Sequence, residues 1–210
     1  MRHDSAGTDA RADALRRVGI LGGTFDPVHR LHLELARVAI AQFELESVIF
    51  LPTGRPARKL GATRASATER LRMLQLATED NPRFSVSTME VERSGISYTI
   101  DSLRELRQLL GTDAELFLIL GEDTATDLPS WKDSEQIAAL AGVLYAERPG
   151  EAEALPLPRG FACQRLAMEA CDLSSTQIRE RLAAGKDVRA LLPSQVYDYI
   201  RRQGLYAEPR

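Results

Sequence analysis

Leu116-Phe117-Leu118-Ile119-Leu120 is an unbroken apolar run closed by Gly121, and it narrows the fold more than any other segment. A strand that meets water on one face alternates apolar with polar residues, whereas a strand covered by helices on both faces has no such need. The run therefore predicts the middle of a parallel sheet with helices above and below it. Shorter apolar runs at 18–21, 48–51, 84–87 and 142–146 read as companion strands, with 89–91 as an irregular continuation of the third and a last strand around 165–168. Helical periodicity fills the intervals. It covers 31–43, a segment carrying Leu71, Met73, Leu74 and Leu76, 98–110 ended by Gly111, and a stretch reaching Leu140. Ser66 and Glu69 form a capping box for the second of these, Ser174-Ser175-Thr176 caps a later helix ended by Gly185, and Pro193 opens a final one ended by Gly204. The alternation predicts a single doubly wound α/β, Rossmann-like domain over 17–210, with a mostly parallel sheet and small C-terminal helices. Residues 1–16, polar and Ala-rich, read as a flexible extension.

Composition excludes several classes. Lys and Arg number 27 against 30 Asp and Glu, a formal charge of -3, which argues against a polybasic nucleic-acid or membrane-surface protein. No apolar run approaches the roughly 18 residues needed to span a bilayer, and the N-terminus lacks an export signal, so a cytoplasmic protein is expected. Cys163 and Cys171 have no C-x-x-C partner and no nearby His, so neither a disulfide framework nor a protein metal site is expected. Homo-oligomerisation stays open.

In a doubly wound sheet, ligands bind beyond the carboxyl ends of the strands. The first such loop reads Gly22-Gly23-Thr24-Phe25-Asp26-Pro27-Val28-His29-Arg30-Leu31-His32. Glycines after a buried strand let backbone N–H groups approach an anion, and the following helix aims its positive end at the same place. This is a phosphate cradle, but not a P-loop, since the G-K-[ST] ending is absent. In place of the lysine stand two of the three histidines, His29 and His32, spaced to reach one site together; the third is His3. The bland alternative is one histidine capping the helix and the other on the surface.

Gly-Gly-Thr-Phe-Asp-Pro-Val-His-x-x-His resembles the signature of the nucleotidyltransferases that adenylylate small phosphates. Further segments narrow the resemblance: Ser97 to Leu103, Gly121-x-Asp123, Leu128-Pro129-Ser130-Trp131, Arg148-Pro149-Gly150, Leu173 to Arg179, and the ending from Tyr199-Ile200 to Gly204-Leu205-Tyr206. Together they look like the bacterial nicotinate mononucleotide adenylyltransferase family. The resemblance implies attack of a mononucleotide phosphate on the α-phosphorus of ATP, with Mg²⁺ accompanying the triphosphate, pyrophosphate leaving and a dinucleotide remaining. It implies catalytic roles for His29 and His32 and ATP contacts from Gly22, Gly23, Thr24, Phe25, Ser175, Thr176 and Arg179. On the nicotinate mononucleotide side it implies a stacking face from Trp131, a carboxylate site at Thr99 and a ribose or water contact from Asp123. Some have a plainer alternative, namely a helix cap for Ser175, Thr176 and Asp123, a solvated arginine for Arg179, and core or surface packing for Trp131.

Two departures stand out. The family has Gly where this chain has Leu31, and Pro-Pro-His-Lys where it has Pro56-Ala57-Arg58-Lys59. An isobutyl group at the first position is expected to narrow the ATP site. The rival readings are a degenerate nucleotide-binding paralogue and an adenylyltransferase for another small phosphate such as phosphopantetheine.

Overall fold

A computed structural model describes residues 15–55, 63–147, 157–169 and 171–207. Six strands form one sheet in the order β3-β2-β1-β4-β5-β6, with β1 Arg16–Gly23, β2 Ser47–Pro52, β3 Phe84–Val86, β4 Ala114–Gly121, β5 Ala141–Ala146 and β6 Cys163–Arg165. Every pairing is parallel. The expected sheet is thus present, and wholly rather than mostly parallel among the described residues.

The pleat of β4 explains its composition. Leu116, Leu118 and Leu120 point into one core cluster, while Phe117 and Ile119 point into the other. Both faces are covered from Leu116 to Leu120, so no position in that run is open to a polar residue; Glu115, at the strand's start, is exposed. One cluster also holds Leu33, Ala36 and Ala39 of α1 (Arg30–Phe43), Met73 and Leu74 of α2 (Ala67–Thr78), Ile178 of α7 (Ser175–Ala183) and Val196 of α8 (Ser194–Gln203). Across the sheet lie Ile100 and Leu103 of α4 (Thr99–Leu110), Ala125 of α5 (Glu122–Thr126) and Ile137 of α6 (Ser134–Leu140). The chain after β1 therefore turns to one face and the chain after β4 to the other. Since β1 and β4 are neighbours, their carboxyl ends flank the crevice in which such sheets place ligands.

Two expected elements differ. Residues 89–91 do not extend β3: Met89–Glu92 is a short helix, α3. β3 pairs only with residues 48–50 of β2, leaving no ladder for a continuation, and the Ser87 hydroxyl instead accepts the Met89 N–H at 3.4 Å. The last strand lies earlier than 165–168, because β5 pairs with Cys163 to Arg165, and the buried Leu166 then turns into the core. No described helix is long and apolar enough to cross a membrane. His3, most of the extension, the Pro56 to Lys59 departure and Arg148-Pro149-Gly150 lie outside the described residues.

Candidate active site

The glycine pair ends β1. A Cβ on Gly22 would meet nothing within 4 Å, so its neighbouring space stays open for a ligand rather than being consumed by the protein. A Cβ on Gly23 would approach the Phe25 ring at 3.3 Å, so here glycine serves internal packing. Phe25 takes a left-handed backbone (φ 48°), and its ring is buried. It stands edge-on to His32 with centroids 5.0 Å apart, and 6.0 Å from Phe50. Its side chain supports an imidazole, which leaves its backbone for any nucleotide contact.

His29 is the N-cap of α1, and His32 lies in its first turn. Their rings stack at 3.7 Å with 27° between planes. The His29 backbone N–H donates to His32 Nδ1 at 3.2 Å, which fixes the His32 proton on Nε2 and makes that nitrogen the available donor. Nδ1 of His29 is buried without a hydrogen-bond partner, the kind of atom that awaits a ligand or a water. Burial lowers the His29 pKa to about 4. His32 is held well below its ordinary value, first by burial and then by its stacked neighbour. Two stacked imidazoles, one buried and one half-buried, cannot both carry protons cheaply. The α1 N-terminus itself is less open than the sequence suggests, because the Arg30 N–H already donates to the Leu191 carbonyl at 3.0 Å. The imidazoles, more than this helix end, offer donors to an anion.

A pH consequence follows. Between about pH 4 and 6.5 the unfolded chain binds protons at these histidines that the folded chain excludes, so stability rises with pH over that window and is flat above it. For His29 alone the loss from pH 7.5 to 5 is about 2 kcal/mol. Thermal melts across this range check it, and His29→Gln should flatten the profile.

Facing this loop is the N-terminus of α7. Ser174 is the cap, accepting the Gln177 N–H at 3.3 Å. Ser175 and Thr176 are therefore not the capping hydroxyls. They occupy the first two helical positions, where backbone N–H groups lack intrahelical acceptors. The Ser175 hydroxyl donates to the Pro27 carbonyl at 2.9 Å, and Arg179 donates to the Asp26 carbonyl at 2.8 Å and to Thr176 Oγ1 at 3.1 Å. The structure thus brings His29, His32, Ser175, Thr176 and Arg179 around one loop.

Asp26, within the recognised loop but given no role by sequence reasoning, is the hub of this arrangement. Its carboxylate is 1% exposed. It accepts the N–H groups of Arg64 (2.7 Å) and Ala65 (3.1 Å) and the Tyr206 hydroxyl (2.7 Å), with Arg179 at 3.9 Å. Burial, followed by Asp26 itself, pushes the Tyr206 phenol far above its usual range, so it stays a donor. Arg70 was also missed. It is buried in α2 and donates to the carbonyls of Thr24 (2.7 Å) and Thr53 (2.8 Å), pinning the loops after β1 and β2 together. A legible signal existed: Arg70 shares the apolar stripe of Met73 and Leu74 at helical spacing.

The remaining candidates lie on the opposite face. Thr99 is the first residue of α4. Trp131, half-buried, packs against the second core cluster, and its Nε1 is buried without a partner. Asp123 is exposed in α5, whose cap is Gly121, so Asp123 is not the N-cap of its helix. The described residues contain no group of three or more His, Cys, Asp or Glu able to hold a metal ion.

Comparison with known proteins bears on the fold and the family. The cytidylyltransferase-like family model matches residues 20–181. A protein of Acidothermus cellulolyticus named probable nicotinate-nucleotide adenylyltransferase is 40% identical, the match covering 90% of this chain and 94% of that one. A namesake from Chromobacterium violaceum is 41% identical, with 90% and 98% covered. Among solved structures, the nicotinic acid mononucleotide adenylyltransferase of Plasmodium falciparum, complexed with NaAD, superposes with a TM-score of 0.76 at 17% identity, covering 91% of this chain and 97% of that one. The same protein complexed with APC gives 0.72 at 18% identity, covering 91% and 97%. The chain belongs to the cytidylyltransferase-like family and, within it, to the nicotinate-nucleotide adenylyltransferases.

Proposed function

We propose that the chain transfers the adenylyl group of ATP to nicotinate mononucleotide, giving nicotinate adenine dinucleotide and pyrophosphate. The observation that carries this reading is the stacked His29–His32 pair facing the head of α7 across one loop, in a chain of this family. A phosphate oxygen of the mononucleotide attacks the α-phosphorus, the bond to the α,β-bridging oxygen breaks, and the electron pair leaves with pyrophosphate. Catalysis is then alignment of two polyanions together with donors placed where charge develops. Nε2–H of His32 and the His29 ring serve the transferring phosphate. Gly22, Gly23, Thr24 and Phe25 line the nucleotide with backbone, and Ser175, Thr176 and Arg179 hold the outer phosphates.

Magnesium enters as part of the substrate, MgATP. The donor set fits this: the buried carboxylate nearest the loop, Asp26, is already engaged by three hydrogen-bond donors, so the ion would be held by phosphate oxygens and water. On the other side of the crevice, Thr99 and the α4 head take the ring carboxylate, Trp131 offers a stacking face, and Asp123 reaches the ribose or its waters. The NaAD in the Plasmodium relative is the product this reading requires.

Pyrophosphate release with ATP and a panel of phosphates tests the proposal. Nicotinate mononucleotide should be the preferred acceptor, and preference for phosphopantetheine would overturn it. Trp131→Ala should raise the acceptor KM by roughly 5- to 150-fold while sparing the ATP KM, from ~1–3 kcal/mol of lost stacking.

Leu31 is the position at which ATP use can be probed most simply. It sits half-buried between the two imidazoles in sequence and belongs to neither core cluster. If it crowds the nucleotide, Leu31→Gly should lower stability by about 1 kcal/mol yet lower the ATP KM. Equal or weaker ATP use by the variant would show that leucine is accommodated.

A further inference from the structure

Beside α7 a cavity of about 160 Å³ is lined by Arg64, Thr176, Arg179, Glu180, Ala183 and Tyr206. Its two guanidiniums are held differently. Arg179 is oriented by bonds from Nη1 to the Asp26 carbonyl and from Nη2 to Thr176 Oγ1, which leave its remaining N–H groups for a ligand. Arg64 is anchored through its backbone, its N–H donating to Asp26 Oδ2 at 2.7 Å, while its side chain is exposed and makes no ion pair or hydrogen bond with a described residue. The fixed backbone beside Arg179 and the uncommitted guanidinium together hold a cation at the cavity wall. Tyr206 closes another side, held by its hydroxyl on Asp26 Oδ1 at 2.7 Å. Glu180, four residues along α7 from Thr176, is the carboxylate of the lining, and Asp26 lies behind Arg179 and Tyr206, so Arg64 is the cation of the wall that no described carboxylate pairs.

The cavity continues the line of the proposed phosphate site. Thr176 belongs to both, being in the first turn of α7, which is docked on the His29 loop, and also in the cavity wall.

We infer that Arg64 is a further substrate-binding residue, which with Arg179 clamps the terminal phosphoryl group of the nucleoside triphosphate in this cavity and retains pyrophosphate there after transfer. The inference rests on ATP being the nucleotide. Arg64 makes its structural contact through the backbone, so Arg64→Ala leaves the Asp26 hub in place, and its thermal melt should match the parent. Calorimetric titration of the full chain with ATP, ADP and pyrophosphate reads the effect.

The parent should bind ATP more tightly than ADP. Arg64→Ala should lose about tenfold for ATP and for pyrophosphate, the scale of one charge-assisted contact, and change ADP by less than twofold. Arg64→Lys should recover part of the loss. In the transfer assay the ATP KM should rise with the acceptor KM unchanged. An equal loss for ADP and ATP, or unchanged affinity for ATP and pyrophosphate, overturns the assignment. A parent chain that binds none of the three overturns the ATP reading, and this inference falls with it.

Discussion

His32→Ala should lower kcat/KM by about 10²-fold or more, the usual scale for removing a donor aimed at developing charge. The expectation has a definite structural source. His32 Nδ1 is occupied by the His29 backbone N–H, so Nε2–H is a pre-oriented donor, and Phe25 and the His29 ring hold the imidazole on its edge and face. Such orientation costs nothing at the moment of reaction, which is what makes a donor worth several kcal/mol in the transition state. Asn in place of His32 should recover part of the loss only if its amide reaches the same point. Steady-state kinetics with both substrates varied check the effect, and near-normal turnover by His32→Ala would remove His32 from the mechanism.

Asp26→Asn should be the most destabilising conservative substitution in the site. Each carboxylate oxygen receives a backbone N–H, from Arg64 on one side and Ala65 on the other, and the Tyr206 hydroxyl shares Oδ1. An amide in either orientation turns its NH₂ toward one of those N–H groups, leaving a buried donor without an acceptor and Arg179 without its nearby negative charge. The expected loss is about 3 kcal/mol, or roughly 10 °C in Tm for a domain of this size. The α7 head and the Arg64 segment share this anchor with the His29 loop, so kcat/KM should also fall by about tenfold or more even well below the melting temperature. Thermal unfolding with parallel kinetics tests both parts. Tyr206→Phe, which removes one donor and leaves the carboxylate, should show the smaller loss.

Local rules carried much of the fold. The β4 run announced a two-sided burial that its pleat realises, and the Ser66–Glu69 capping box is formed, with both reciprocal bonds in place. The irregular pieces were harder because their state depends on partners far away in sequence. Residues 89–92 became helical since β2 offered them no ladder, and β6 took its register from β5 rather than from its own apolar content.

The site divided along the same line. His29, His32, Ser175, Thr176 and Arg179 stand in short motifs, and the structure gathers them around one loop. Asp26 stands in the same motif, yet its four contacts come from residues 38 to 180 positions away, and nothing local reveals a carboxylate that bridges loops. Arg64 and Tyr206 have meaning only once that bridge exists.

Label position offers the most direct test of the central claim, that the enzyme moves the adenylyl group from ATP to nicotinate mononucleotide in one direct displacement. The chain is incubated with the mononucleotide and ATP labelled either at the α- or at the γ-phosphorus. Label from the α position should appear in the dinucleotide and label from the γ position only in pyrophosphate, with no labelled protein at any time. Label from the γ position in the nucleotide product, labelled protein, or release of pyrophosphate without a dinucleotide would contradict the account.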